Sequence, residues 1–144
     1  MQPTILLVED NPDDEALTLR ALQKGKVKTE IVVVRDGKEA LDYLLYEGSY
    51  SERLKGNPQL ILLDLQLPKV DGLEVLRILR KNESTKYIPV VLLTSMEDEK
   101  ALMAGYSGGA NSFVVKPLDI EQFTKAVQQL HLYWIVLNDG PSRT

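Results

Sequence analysis

The sequence predicts an α/β domain built on a five-stranded parallel sheet with helices on both faces. Along its 144 residues, five short runs of Val, Ile and Leu alternate with five segments of helical periodicity. The runs are apolar throughout and do not alternate with polar residues, as strands read when both faces lie under helices. A third observation points the same way: most runs end in polar residues, at the strand ends where open parallel sheets bind ligands.

Taken in order, Ile5 to Val8 form the first strand. In "EDNPDDE", Asn11 can cap a helix, Pro12 suits its first position and Asp14 falls in its first turn. Ala16, Leu17, Leu19 and Leu22 carry that helix until "KGK" ends it. "EIVVV" reads as the second strand and "GKEALDYLLYEG" as the second helix, followed by a polar connection, "SYSERLKGNPQ", longer than most in such domains. "LILLD" and "DGLEVLRILRKN" form the third pair, "IPVVLL" and "MEDEKALMAGY" the fourth, and "SFVVK" and an extended "PLDIEQFTKAVQQLHLYWIVLN" the fifth. The expected strand order is the flavodoxin-like 2-1-3-4-5. No internal repeat or low-complexity segment interrupts the pattern. One domain over residues 1–137 and a short tail, "NDGPSRT", over 138–144 account for the chain.

Composition narrows the function classes. Hydrophobic residues make up 44% and charged residues 26%, ordinary for a globular domain large enough to bury a core. The absence of cysteine excludes disulfides and thiolate metal sites. No apolar run approaches the ~20 residues that span a bilayer, and the N-terminus lacks the basic flank and cleavage site of a leader. A cytoplasmic protein without a membrane partner is the expectation. The net charge of −4, from 17 Lys and Arg against 21 Asp and Glu, comes with no basic block and gives nucleic-acid binding little support.

The polar strand ends carry the chemistry. The first strand ends in Glu9 and Asp10, the third in Asp64 after four consecutive apolar residues, the fourth in Thr94 and Ser95, and the fifth in Lys116 and Pro117. With strands one and three adjacent, three carboxylates meet at one rim with a lysine and a hydroxyl beside them. Crowded carboxylates raise one another's pKa, so they hold protons or a cation neutralises them. Oxygen donors without nearby His or Cys suit Mg²⁺. Metal, ammonium and hydroxyl together match the oxygens of a phosphoryl group, and a carboxylate nucleophile can accept one as an aspartyl phosphate.

At these residues the chain resembles the response-regulator receiver domain, the phosphoacceptor half of two-component signalling. "ILLVEDNPDD", "LILLDLQLPKVDG", "PVVLLTS" and "GANSFVVKP" stand in the family's order and spacing. The resemblance implies that Asp64 is the phosphoacceptor. It implies Mg²⁺ held by Asp10 and Asp64, by Glu9 through water, and by the main-chain carbonyl of Gln66. Lys116 would pair with the phosphoryl oxygens, the Thr94 hydroxyl would move toward them, and Phe113 would be the switching aromatic. Lys116–Pro117 would be a cis peptide, an isomer open to X–Pro bonds. Gln66 and Met96, each two residues past a site residue, would tune hydrolysis. The long second helix and loop and the "HLYWIVLN" ending are similar to stand-alone regulators that serve phytochrome histidine kinases, and no output domain is expected after the fifth helix.

Plainer readings compete at several positions. "EDNP" could be only a helix start with acids favoured by the dipole. Asp71 reads best as the cap of the third helix, and Ser95, at capping-box spacing from Asp98, could cap the fourth. Lys116 could be a surface lysine and Phe113 plain core. His131, the sole histidine, reads as a helix-surface residue and not a phosphodonor. Ile120, Phe123, Val127, Leu130 and Trp134 form the last helix's core stripe, whereas Leu132, Tyr133, Ile135 and Val136 lie off it. A homodimer through Tyr133, Trp134 and Val136 is expected, unless the tail folds back over them. Other functions remain open: an FMN carrier of the same fold, an aspartyl-nucleophile phosphatase, and a docking adaptor that is never phosphorylated. The first would need a glycine- and hydroxyl-rich loop where "EDNPDD" stands. The second would need an acid at Gln66.

Overall fold

The computed structural model describes residues 4–25, 27, 29–67, 69–94, 99–130 and 132. Strands β1 (Thr4–Val8), β2 (Glu30–Val34), β3 (Leu60–Asp64), β4 (Val90–Thr94) and β5 (Ser112–Val115) alternate with helices α1 (Pro12–Lys24), α2 (Gly37–Leu45), α3 (Gly72–Lys81), α4 (Glu99–Ser107) and α5 (Ile120–Gln129). The sheet runs β2-β1-β3-β4-β5 with every pair parallel, the order the sequence predicts.

Each central strand divides its residues between two cores. On one face Leu6, Val8, Ile61, Leu63, Val90 and Leu92 pack with Ala40 and Leu44 of α2 and Val75, Leu76 and Leu79 of α3. On the other, Ile5, Leu7, Leu60, Leu62, Val91 and Leu93 pack with Leu22 of α1 and Phe123, Ala126 and Val127 of α5. Strands β3 and β4 are buried along their whole length, which is why their sequences show no alternation. Among the described residues no helix is long and apolar enough to cross a membrane.

Side-chain caps fix where α1, α2, α3 and α5 begin. Asn11 accepts hydrogen bonds from the Asp13 and Asp14 amides at 2.8 and 3.0 Å, with Pro12 opening α1 as expected. Asp71 accepts from the Glu74 amide at 3.0 Å and caps α3. The long connection after α2 is organised by a 3-10 turn at Gly48–Tyr50 and by Arg53. The Arg53 guanidinium lies 3.9 and 4.1 Å from the Tyr43 and Tyr46 ring centroids and donates to the Tyr43 carbonyl at 2.6 Å.

The final helix departs from expectation. Helix α5 closes at Gln129, where Leu130 leaves helical geometry, rather than running on unbroken to Asn138. The Leu132 amide then donates to the Val127 carbonyl at 2.8 Å, and the Leu132 side chain is buried in the α1–α5 core. One residue expected to lie off the core stripe thus belongs to the core. His131, Tyr133, Trp134, Ile135, Val136 and the 138–144 tail lie outside the described residues, as do Ser95 and Met96.

Candidate functional site

The site forms at the carboxyl edge of the sheet because register puts the polar strand ends level with one another. Val8 pairs with Leu63, so Glu9 follows β1 beside Asp64. Asp64 pairs with Leu93 and Thr94 with Val115, which sets Lys116 one step beyond β5 at the same height. The Lys116 amide donates to the Thr94 carbonyl at 2.8 Å, extending that ladder into the site. The Lys116–Pro117 peptide is cis.

Asp64 is only 4% exposed. Its Oδ1 accepts from the Gln66 amide at 3.0 Å and its Oδ2 from Lys116 Nζ at 2.7 Å. The ammonium also lies 3.1 Å from Glu9 Oε1 and donates to Asp14 Oδ2 at 3.1 Å. One lysine therefore faces three carboxylates. Burial alone would lower its pKa, but the hydrogen bond and charge of Asp64, followed by those of Glu9, hold it well above the ordinary lysine value.

Glu9 is fully buried. Burial pushes its carboxyl up to about 8, with the Asp64 hydrogen bond and charge adding to the rise and Lys116 opposing it. Oε2 accepts from the Asn11 amide at 3.3 Å, whereas Oε1 has the nearby ammonium but no donor aligned as a hydrogen bond. A buried carboxylate oxygen left in that condition is a place for a proton or a cation. Carboxylate oxygens of Glu9, Asp10 and Asp64 all lie within 4.8 Å of one another. Asp10 is exposed at the rim. An all-oxygen set of three carboxylates open to water on one side fits Mg²⁺ or a similar hard divalent cation.

A cavity of about 190 Å³ opens beside these groups, lined by Asp14, Asp64, Leu65, Gln66, Leu93, Thr94 and Lys116. Thr94 is buried at the end of β4. Phe113 is not among the lining residues. It is 37% exposed on β5 and meets Tyr106 of α4 edge-on, with ring centroids 5.9 Å apart, so it is not plain core. The structure thus brings together Glu9, Asp10, Asp64, Gln66, Thr94 and Lys116 and leaves Phe113 at the α4–β5 surface.

Two participants were not anticipated. Asp14, read only as a first-turn acid, reaches Lys116 and lines the cavity. Its position three residues into α1, just past Pro12, was the available signal. Gly72 is the other. A Cβ there would sit 2.4 Å from the Asp64 carbonyl oxygen and 2.8 Å from Leu65 Cα, both backbone atoms. Gly72→Ala is expected to push α3 away from the end of β3, with a stability loss of about 2 kcal/mol or more in urea denaturation.

This fold and edge define a class. The chain belongs to the response regulator receiver domain family, whose sequence model matches residues 5–128. It is 42% identical over 138 residues to the "Probable methanogenesis regulatory protein FilR2" of Methanothrix harundinacea, covering 95% of this chain and 86% of that one. It is 37% identical over 131 residues to "Response regulator Rcp1" of Synechocystis, covering 91% and 88%. Among solved structures it is similar to "Bacteriophytochrome response regulator RtBRR", with a TM-score of 0.87, 50% identity and 98% and 85% of the two chains covered. The Mn²⁺-bound form of Rcp1 matches with a TM-score of 0.74 at 37% identity over 92% and 94%. The phosphorylated cyanobacterial phytochrome response regulator RcpA matches with a TM-score of 0.75 at 39% identity over 93% and 94%.

Proposed function

We propose that this protein is a phosphorylation switch, a receiver domain over residues 1–137 that accepts a phosphoryl group on Asp64 from a histidine kinase of the phytochrome type. The observation that carries the reading is the setting of Asp64: a nearly buried carboxylate, held by Lys116 and the Gln66 amide, at the wall of a small cavity shared with Thr94. A carboxylate oxygen attacks the phosphorus of a phosphohistidine, the P–O bond forms as the P–N bond breaks, and the imidazole leaves with the electron pair and takes up a proton.

Glu9, Asp10 and Asp64, with the Gln66 carbonyl, would hold Mg²⁺, which when bound supplies charge to balance the phosphoryl oxygens. Lys116 pairs with one of those oxygens. Phosphorylation adds about −1.5 to −2 charge at the rim. The Thr94 hydroxyl, with Ser95 beside it, moves toward that charge, and Phe113 turns inward from its exposed position. The change biases the face of α4, β5 and α5 between two states. Met103 and Tyr106 of α4 and Phe113 of β5 are exposed there, and the homodimer proposed through Tyr133, Trp134 and Val136 would depend on the state of this face. By the family resemblance, Gln66 and Met96, two residues after Asp64 and Thr94, set the lifetime of the phosphoryl group, so replacing both changes the rate of its loss after the donor is removed. The protein acts in the cytoplasm as a signalling acceptor and not as a metabolic enzyme.

The likeness to a bacteriophytochrome response regulator and to a phosphorylated cyanobacterial phytochrome response regulator supports this reading, as does the likeness to the Mn²⁺-bound form of Rcp1. It is tested by adding the protein to a phytochrome histidine kinase autophosphorylated with labelled ATP. Transfer of label to the wild type and not to Asp64→Asn is expected. Retention of all label on a kinase that phosphorylates its own regulator would remove that kinase class as the donor.

A further inference from the structure

Lys116 is oversubscribed. Its ammonium meets Asp64 Oδ2 at 2.7 Å and both Glu9 Oε1 and Asp14 Oδ2 at 3.1 Å. Two of these partners belong to the acidic cluster that suits a cation, where a bound metal supplies the balancing charge. Asp14 does not. It comes from the first turn of α1, its side chain is 36% exposed, and it lines the same cavity as Asp64, Thr94 and Lys116. A phosphoryl group on Asp64 would enter that cavity with a carboxylate already at its wall and already bonded to the lysine the phosphoryl oxygens need.

We infer that Asp14 is a positioning residue that competes with the phosphoryl group for Lys116. The inference rests on the phosphoacceptor reading of Asp64. In the unmodified protein Asp14 holds the ammonium in a three-way pairing. When a phosphoryl group arrives, the lysine exchanges Asp14 for a phosphoryl oxygen, and the released carboxylate is left facing the new negative charge. Both effects oppose the phosphorylated state. Because Asp14 and Lys116 are partly open to solvent, with side-chain exposures of 36% and 21%, the competition is moderate and sensitive to salt. Asp14 thereby acts as a partial brake that lowers the affinity of the site for a phosphoryl group.

The test uses beryllofluoride, a tetrahedral phosphoryl mimic, titrated at saturating Mg²⁺ with binding followed by calorimetry. Asp14→Asn is expected to bind the mimic roughly three- to tenfold more tightly than the wild type at low ionic strength, with the gap narrowing at about 0.5 M salt. Asp14→Glu, which keeps the charge, is expected to restore an affinity close to the wild type. Asp13→Asn removes the same charge from the same helical turn and is expected to change affinity by less than about twofold. Equal or weaker binding by Asp14→Asn, or an equal gain from Asp13→Asn, would overturn the competition. Acetyl phosphate labelling of the wild type in parallel separates the two levels. If the wild type accepts a phosphoryl group and Asp14→Asn shows no gain in affinity, only this inference fails; if the wild type neither binds the mimic nor accepts the group, the phosphoacceptor reading fails and takes the inference with it.

Discussion

Lys116→Ala is expected to lower the unfolding free energy of the metal-free protein by about 3 kcal/mol at pH 8, measured by urea denaturation in the presence of a chelator. The lysine is the counter-charge of two almost fully buried carboxyls, with Asp64 6% and Glu9 0% exposed at the side chain. Removing one partner of a buried ion pair typically costs about 3–5 kcal/mol because the remaining charge keeps its desolvation penalty. Two features place the loss at the low end. The lysine is itself 21% exposed, and Glu9 can relieve part of the strain by taking up a proton. The same substitution is therefore expected to cost less at pH 5, where Glu9 is protonated with or without the lysine. A loss below 1 kcal/mol at pH 8 would show that Lys116 is not the counter-charge these distances imply. On the proposed reading of Asp64, phosphoryl acceptance should fall as well, because Lys116 would no longer be there to pair with a phosphoryl oxygen.

The second large effect is a dependence of stability on pH that a divalent cation reverses. The Glu9 carboxyl, near 4.5 in an unfolded chain, is raised to about 8 in the folded protein. The fold thus favours the protonated form. Its contribution to stability is complete below about pH 4.5 and is lost as pH rises through about 8. At about 1.4 kcal/mol per unit, the interval corresponds to on the order of 5 kcal/mol, which coupling to Asp64 reduces to an expected 2–4 kcal/mol. Lys116 is held above the ordinary lysine range, so its own contribution stays constant across this window. Metal-free protein should accordingly lose stability from pH 5 to pH 8.5, and Glu9→Gln, which carries no titrating proton, should flatten the curve. Mg²⁺, which Glu9, Asp10 and Asp64 would hold, should restore at pH 8 much of what was lost in the wild type by balancing the Glu9 charge, and should restore much less in Glu9→Gln. A wild-type curve that is flat or rises over this range would contradict a buried Glu9 whose desolvation outweighs the opposing charge of Lys116.

The fold was legible because its signals are local. Five apolar runs carry their strand character in consecutive residues, and Asn11, Pro12 and Asp71 mark helix starts through bonds made within three positions. The acidic edge was legible for a related reason. Once strand order is fixed, each polar residue at a strand end has only one edge at which to lie, so Glu9, Asp10, Asp64, Thr94 and Lys116 could be grouped without knowing a distance. What the sequence concealed depends on side-chain reach and backbone proximity. Asp14 comes within 3.1 Å of a lysine 102 positions away, and nothing in "NPDD" states which acid points toward the sheet. Gly72 matters because the Asp64 carbonyl lies where its Cβ would be, a fact of tertiary packing invisible in "VDG". The close of α5 at Gln129 was hidden because "QQLHLYWIVLN" contains no proline or glycine before Gly140, and the break is made by Leu132 finding the core.

The most direct test of the central claim is the intact mass of the protein after incubation with acetyl phosphate, with and without Mg²⁺, alongside Asp64→Asn. The account predicts a gain of one phosphoryl group by the wild type that requires Mg²⁺ and is absent from the variant. A folded, Mg²⁺-binding wild type that gains nothing from acetyl phosphate or from a histidine kinase, or an Asp64→Asn variant that gains the group as readily as the wild type, would contradict it.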